Sequence, residues 1–128
     1  MYTRNKSTAP TRKRDGLTCH LLLQEGDVRN SRIAVTWVEV EPGSCQLPHR
    51  HMPEQIYVII KGSGQMRIGE TLKEVTVGDV VYIPSNMVHG IQNLSSTEQL
   101  VYVTAATPSF DIAAMYDQGK PVTATEKL

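Results

Sequence analysis

Short apolar runs alternate with turn-forming residues along most of the chain. Glycine, proline, asparagine and aspartate recur about every eight to twelve residues, a spacing typical of β-sandwiches and β-barrels. We find neither an internal repeat nor a second domain. The pattern therefore predicts an all-β fold. The predicted strands are residues 17–24, 33–40, 65–68, 71–77, 80–83, 88–93 and 98–105, together with an apolar strand that ends before Gly62.

The two ends of the chain differ from this pattern. Residues 1–14 carry five basic side chains and no acidic one, so residues 1–16 are predicted to form a flexible basic arm. The barrel domain is expected to span residues 17–106. Residues 109–116 favour one or two helical turns. We expect residues 107–128 to be a C-terminal segment that packs on the barrel and frays at its end.

Length and charge limit the classes of function. The 128 residues suffice for one domain with a core, and the formal net charge is zero, which argues against general affinity for nucleic acid or anionic membranes. No run approaches the roughly 18 apolar residues that cross a bilayer, and the basic start is not followed by the apolar stretch of a secretory signal. Cys19 and Cys45 lack a C-x-x-C spacing. The simplest interpretation is two reduced thiols in a cytoplasmic protein.

A pair of histidines, His49 and His51, is the first candidate for chemistry. Side chains two apart on an extended chain share a face, so both imidazoles could reach one metal ion. The same parity places Gln55 and Tyr57 on the histidine face. It places Glu54 on the opposite face, although a bulge near residue 53 would exchange them. Gln55 is therefore the preferred third ligand, and Glu54 remains the alternative.

A further histidine lies about forty residues later, on another predicted strand. His89 follows a turn that contains Pro84, and Asn86 in that turn suits a left-handed backbone conformation. An H-x-H pair, a nearby glutamine and a distant histidine after a proline turn together predict a metal site. His20 and Cys45 could add a contact to it, but an ordinary strand histidine and an idle thiol are the simpler interpretations.

Two spaced motifs in this chain resemble those of the cupin superfamily, and of small single-domain cupin-2 barrels in particular. The first motif, G-x5-H-x-H-x3,4-E-x6-G, is matched with Gln55 in the place of the usual glutamate. The second, G-x5-P-x-G-x2-H-x3-N, is matched with Asn86 in the place of the middle glycine. The matching residues are Gly43, His49, His51, Gln55 and Gly62 in the first motif and Gly78, Pro84, Asn86, His89 and Asn93 in the second.

The resemblance implies a double-stranded β-helix, or jelly-roll, barrel with one divalent transition metal (Mn, Fe, Zn, Ni, Co or Cu) inside. Mapped onto this chain, the ligands would be His49, His51, Gln55 and His89. Because three imidazoles and an amide are neutral, the ion would keep its full charge, which favours an anionic ligand such as a carboxylate or enolate. The amide of Gln55 is a poorer ligand than a carboxylate, so the metal site could also be partly empty. Tyr57 is the candidate catalytic side chain, as a proton donor or base.

The leading hypothesis is a metal-dependent enzyme that acts on a small oxygenated or carboxylate-bearing substrate. Dioxygenase, decarboxylase, lyase, isomerase and cyclase chemistry all occur among proteins with this resemblance, and the fold does not choose between them. The alternatives are a metal-dependent binding or sensor module without turnover, and a structural barrel that kept the motif. The resemblance also suggests a homodimer, for which Ile56, Val58 and Ile60 offer an apolar outer face.

Overall fold

The computed structural model describes residues 1–110. They form ten strands and one short 3-10 helix, Lys6–Thr8. The strands are β1 (Thr11–Arg14), β2 (Leu17–Leu23), β3 (Ala34–Val40), β4 (Cys45–His49), β5 (Glu54–Lys61), β6 (Ser63–Ile68), β7 (Thr71–Thr76), β8 (Val80–Ile83), β9 (His89–Gln92) and β10 (Leu100–Thr107).

The strands make two antiparallel sheets. The larger has the order β1-β2-β3-β10-β5-β8 and the smaller β4-β9-β6-β7. Strands adjacent in a sheet are mostly distant in the chain, as in a jelly roll. Over residues 1–110 no strand pairing joins one sheet to the other. The predicted all-β class is therefore confirmed, whereas the two sheets face each other without closing into a barrel.

The core lies between the sheets, and the alternation of side chains explains its composition. In β3 every second residue from Ala34 to Val40 is buried, and the residues between them are only partly buried. Burying one large aliphatic side chain contributes roughly 1.5–3 kcal/mol. Both sheets supply the apolar cluster, which comprises Leu17, Cys19, Leu21, Val38, Val40, Tyr57, Ile59, Met66, Val75, Val81, Ile83, Ile91, Leu100 and Tyr102.

The basic N-terminal segment is not a loose arm. Its strand β1 pairs with β2 in the register Thr11 to His20. Before this strand, Arg4 makes an ion pair of 2.8 Å with Asp27, and Lys6 makes one of 2.7 Å with Glu39. The prediction of flexibility was wrong here because the acidic partners lie far away in the sequence, on elements that only the fold brings close.

Two turn residues have the backbone conformation that the motifs require. Asn86 has φ = 61°, as the sequence predicted for this position, where a glycine is usual. Gly62 has φ = 76°, and a Cβ there would lie 2.6 Å from the carbonyl oxygen of Gln99. A side chain at Gly62 would therefore displace the neighbouring backbone as well as strain its own.

The other end of the chain is described only as far as Phe110. Ser109 and Phe110 are not helical, and the rest of the predicted helical segment, with the expected packing of residues 111–128, lies outside the described residues. Within residues 1–110, no helix has the length and apolar character needed to cross a membrane.

Candidate metal centre

Three histidines meet at one end of the space between the sheets. His49 ends β4 and His89 begins β9, and the two residues are direct partners in the smaller sheet. His51 lies on the connection that leads from β4 to the larger sheet, where β5 begins with Glu54. The site is thus built where the chain crosses from one sheet to the other.

The three imidazoles are close enough to share one ion. Their potential ligand atoms all lie within 4.8 Å of one another. The ring centroids of His49 and His89 are 4.2 Å apart, those of His51 and His89 4.9 Å, and those of His49 and His51 5.7 Å. His89 is fully buried and His51 nearly so. This cluster could hold a metal ion.

Backbone carbonyls orient all three rings in the same way. Nδ1 of His49 lies 2.8 Å from the carbonyl oxygen of Leu47, Nδ1 of His51 2.9 Å from that of Pro53, and Nδ1 of His89 2.8 Å from that of Met87. A carbonyl oxygen only accepts, so each Nδ1 must carry the proton and donate it. Each Nε2 is then left with a free lone pair. A neutral imidazole in this tautomer can bind a metal ion through Nε2.

Two of these Nε2 atoms lack a suitable partner within the part of the chain that the structure describes. Nε2 of His89 is buried and has no hydrogen-bond partner among residues 1–110. Nε2 of His51 lies 3.0 Å from Oε1 of Gln55. Both of those atoms are acceptors when His51 donates from Nδ1. Either a cation lies between them, or the amide turns over so that its nitrogen donates. Buried acceptors without a partner are costly, so these atoms fit a bound cation.

Burial keeps the cluster neutral. Desolvation lowers the pKa of His49 to about 4 and that of His89 to about 3, and the neighbouring imidazoles lower both further. Desolvation also lowers the pKa of His51. At neutral pH all three rings are therefore uncharged, with one proton each, and their Nε2 atoms are available as ligands.

Comparison with known proteins identifies the family. The model of the cupin domain, Cupin_2, matches residues 36–105. This chain belongs to the cupin family. The matched residues run from within β3 into β10 and include the three histidines, so the resemblance inferred from the two motifs is confirmed.

Relatives of this cupin have different descriptions. It is 32% identical over 84 residues to an uncharacterized protein of Methanocaldococcus jannaschii. The aligned residues cover 65% of this chain and 67% of that protein. It is 27% identical over 121 residues to auxin-binding protein 1 of Arabidopsis thaliana, covering 87% of this chain but only 61% of that protein. The structure of a "predicted oxalate decarboxylase" of Thermotoga maritima has a TM-score of 0.74 at 20% identity, covering 84% and 99% of the two chains. This last likeness shows the fold alone.

The connection that carries His51 is held in place by the loop before His89. The backbone N–H of Asn86 donates to the carbonyl oxygen of His51 at 2.7 Å, and the Ser85 hydroxyl donates to the carbonyl oxygen of Met52. The left-handed backbone at Asn86 is therefore part of the support of the cupin site. The motif spacing indicated the turn, but nothing in the sequence indicated that it bonds to the first motif.

The two alternatives for the third ligand, Gln55 and Glu54, differ in burial. Gln55 is buried beside His51, whereas Glu54 is exposed. Residues 50–53 are not in a strand, so the chain is not extended throughout, yet burial still alternates from His51 to Ile59. The register irregularity of this region lies between Gln46 and His49 instead.

His20 and Cys45 lie outside the histidine cluster. Nε2 of His20 is 3.0 Å from Oε1 of Glu39, on the face of the larger sheet that points away from the core. Cys45 is partly buried at the start of β4, opposite Gln92. The simpler interpretation of each residue agrees with these positions.

Tyr57 is fully buried near the cupin site and is held by a residue that the sequence did not indicate. Its hydroxyl donates to Oε1 of Gln46 at 2.7 Å, and the hydroxyl of Tyr102 donates to the same oxygen at 2.9 Å. The two phenol rings stack with centroids 4.4 Å apart. Burial raises the pKa of Tyr57, so its hydroxyl stays protonated and is unsuited to act as a base. The sequence did not indicate Gln46 because strand parity alone places it on the opposite face from His49. The register irregularity between these two residues brings both side chains to the same face.

Proposed function

We propose that this cupin is a metal-dependent enzyme whose ion is held by Nε2 of His49, His51 and His89 and by Oε1 of Gln55. The observation that carries the proposal is the common tautomer of the three rings, which leaves three Nε2 lone pairs within one small volume. Imidazole and amide ligands suit one divalent Mn, Fe, Zn, Ni, Co or Cu ion.

The ligand set favours an anionic or oxygen-rich substrate. No carboxylate is among the four proposed ligands, so they leave the charge of a divalent ion uncompensated, and weak screening between the sheets strengthens its attraction for a carboxylate or enolate. When bound, the ion would supply Lewis acidity or oxygen activation. The protein's own part is to hold three neutral rings in a fixed orientation and to keep the Tyr57 hydroxyl protonated, so that it can donate a proton.

Metal analysis tests the ligand assignment. Protein loaded with zinc or cobalt and then desalted should retain about one equivalent of metal per chain. Gln55→Ala should weaken metal affinity by about tenfold or more, and Glu54→Ala, its exposed neighbour, should leave it within about twofold. If Glu54→Ala had the larger effect, or if the loaded wild-type chain retained less than a tenth of an equivalent, the assignment would be wrong.

Turnover separates the enzyme from a metal-dependent binding module. A panel of small carboxylates and enediols should be incubated with the metal-loaded protein and followed by proton NMR, with the His51→Ala variant as control. A product that forms only with the loaded wild type supports the enzyme. Ligand-induced changes in the spectrum of the cobalt-loaded protein, without any product across the panel, favour the binding module.

A second copy of this chain is the proposed protein partner. The outward face of the larger sheet carries an unbroken apolar row, because the strand registers align Trp37 with Val103, Val103 with Val58, and Val58 with Val80. Val80 is 64% exposed. We expect this face to pair with itself in a homodimer. Light scattering should give the dimer mass for the wild type and the monomer mass for Val80→Asp, and a monomeric wild type would refute the pairing.

A further inference from the structure

An aromatic ring stands directly beside the metal centre. Phe110, the single phenylalanine of the chain, lies just beyond the end of β10. Its ring centroid is 4.8 Å from that of His51, and the two rings are inclined by 31°. Phe110 is only partly buried. Part of its surface is therefore free to contact something other than His51.

Two exposed methionines lie on the loops that carry the histidines. Met52 follows His51 and is 57% exposed, and Met87 lies two residues before His89 and is 39% exposed. The loops that carry them are joined by the hydrogen bonds from Asn86 to the carbonyl of His51 and from Ser85 to the carbonyl of Met52. Methionine adapts its shape to apolar and aromatic surfaces.

Arg50 and Glu54 are both exposed and flank the His51 connection with opposite sign. Phe110, whose ring lies against that of His51, thus stands next to a proposed ion with uncompensated charge. A molecule bound there would meet a cation with one end and an apolar surface with the other.

We propose that the ligand of this site joins an anionic, oxygen-bearing head to an apolar body, and that Phe110 is the residue that selects the body. The inference rests on the proposed metal site and goes beyond it, because the metal alone would bind a small hydrophilic anion equally well. If Phe110 served only to pack against His51, the body of the ligand would make no difference to affinity.

Two carboxylates that share the same head test this inference. Acetate and phenylacetate should be titrated into the cobalt-loaded full-length chain and followed by its visible spectrum. Phenylacetate should bind the wild type at least about tenfold more tightly than acetate does. The reason is that the phenyl ring of phenylacetate is transferred from water to the apolar surface of Phe110. Phe110→Ala should reduce that preference, which is the ratio of the two affinities in the same variant, to below about threefold. Phe110→Leu keeps an apolar side chain and should retain an intermediate preference.

Leu94→Ala is the matched control. Leu94 is an exposed apolar residue that follows the opposite end of β9 from His89, so its removal should leave the preference for phenylacetate at the wild-type value. Equal affinities of the wild type for the two acids, or equal effects of Phe110→Ala and Leu94→Ala, would overturn the inference while leaving the metal site intact. Failure of the wild type to bind cobalt would overturn the proposed function and this inference with it.

Discussion

Two polar clusters within residues 1–110 contain histidine, and they differ in whether an acidic side chain belongs to them. Between the sheets, His49, His51 and His89 gather with no acidic side chain from residues 1–110 among them, and two of their Nε2 atoms lack a suitable partner there. On the outward face of the larger sheet, His20 belongs to a cluster centred on Glu39. There Glu39 contacts Lys6 at 2.7 Å, His20 at 3.0 Å and Nε1 of Trp37 at 3.2 Å.

The difference lies in what completes each cluster. The Glu39 cluster contains its own anion and cation, so its charges balance each other, and the Lys6–Glu39 ion pair joins the N-terminal segment to β3. The inner cluster offers only lone pairs and is balanced by nothing among residues 1–110. A single histidine beside an acidic residue thus helps to hold the N-terminal segment here, whereas three histidines in contact with one another indicate a place for a cation.

The largest expected effect comes from removing one histidine from each cluster. His89→Ala should weaken zinc or cobalt binding by more than about a hundredfold, because it removes a buried imidazole that is one of the four proposed ligands. His20→Ala should leave metal affinity within about twofold of the wild type. Metal titration against a chromophoric chelator measures both. Equal losses in the two variants would show that the clusters do not differ as described.

Acid should also distinguish the clusters. The pKa values of His49 and His89 lie at about 4 and about 3 in the folded chain, against 6.5 when unperturbed. The unfolded chain therefore binds more protons below pH 6.5, and the metal-free protein should lose stability as pH falls from 6.5 towards 4. Each residue contributes about 1.4 kcal/mol per pH unit at most.

Urea unfolding of the metal-free protein at several pH values measures this slope. His89→Gln should reduce it, since a glutamine has nothing to protonate. A slope that is the same in His89→Gln and in the wild type would mean that this buried ring does not resist protonation.

The Glu39 cluster should respond at lower pH and with a smaller change. Burial opposes ionisation of Glu39, but hydrogen bonds from Lys6, His20 and Trp37 outweigh it and hold the pKa of this carboxyl at about 2 instead of 4.5. Its stabilising contribution is thus present above pH 4.5 and is lost as pH falls towards 2. Allowing for solvent screening, Glu39→Gln should cost about 2 kcal/mol at neutral pH.

Thermal unfolding measures the loss in Glu39→Gln, and metal affinity is the control, which should not change. A variant as stable as the wild type would show that the N-terminal segment is not fastened here. A variant with weakened metal binding would show that the two clusters are coupled.

The two clusters also differ in how far the sequence predicted them. Spacing and strand parity indicated the inner cluster, including Gln55, because its ligands follow short local rules and a distant histidine in a defined turn. The Glu39 cluster depends on Lys6, which meets Glu39 only after β1 pairs with β2. No local pattern encodes that contact, so residues 1–16 were expected to be loose.

Other features were hidden for related reasons. The irregularity between Gln46 and His49 turns both side chains towards the core, and parity cannot anticipate an inserted residue. The contact between Phe110 and His51 joins residues 59 positions apart in the chain, and it depends on the path that the chain takes after β10. Periodicity predicts which face a residue occupies, but it does not predict which distant residue covers that face.

The smallest effect concerns the tyrosine pair beside the inner cluster. Tyr57→Phe and Tyr102→Phe each remove one of the two donors to Oε1 of Gln46, so each should cost about 1 kcal/mol of stability and leave metal affinity unchanged. Once a substrate is known, turnover in the two variants distinguishes the roles. Loss of turnover in Tyr57→Phe alone would support Tyr57 as the proton donor, and equal activities would limit both tyrosines to support.

Nitrogen NMR of the histidine rings tests the central claim most directly. In chain labelled with 15N, long-range proton–nitrogen spectra report which nitrogen of each of the four histidines carries a proton. On addition of zinc, we predict that His49, His51 and His89 keep the proton on Nδ1 while their Nε2 resonances shift to metal-bound values, and that His20 does not respond. Protons on Nε2 of the three inner rings, or spectra unchanged by zinc, would contradict the account.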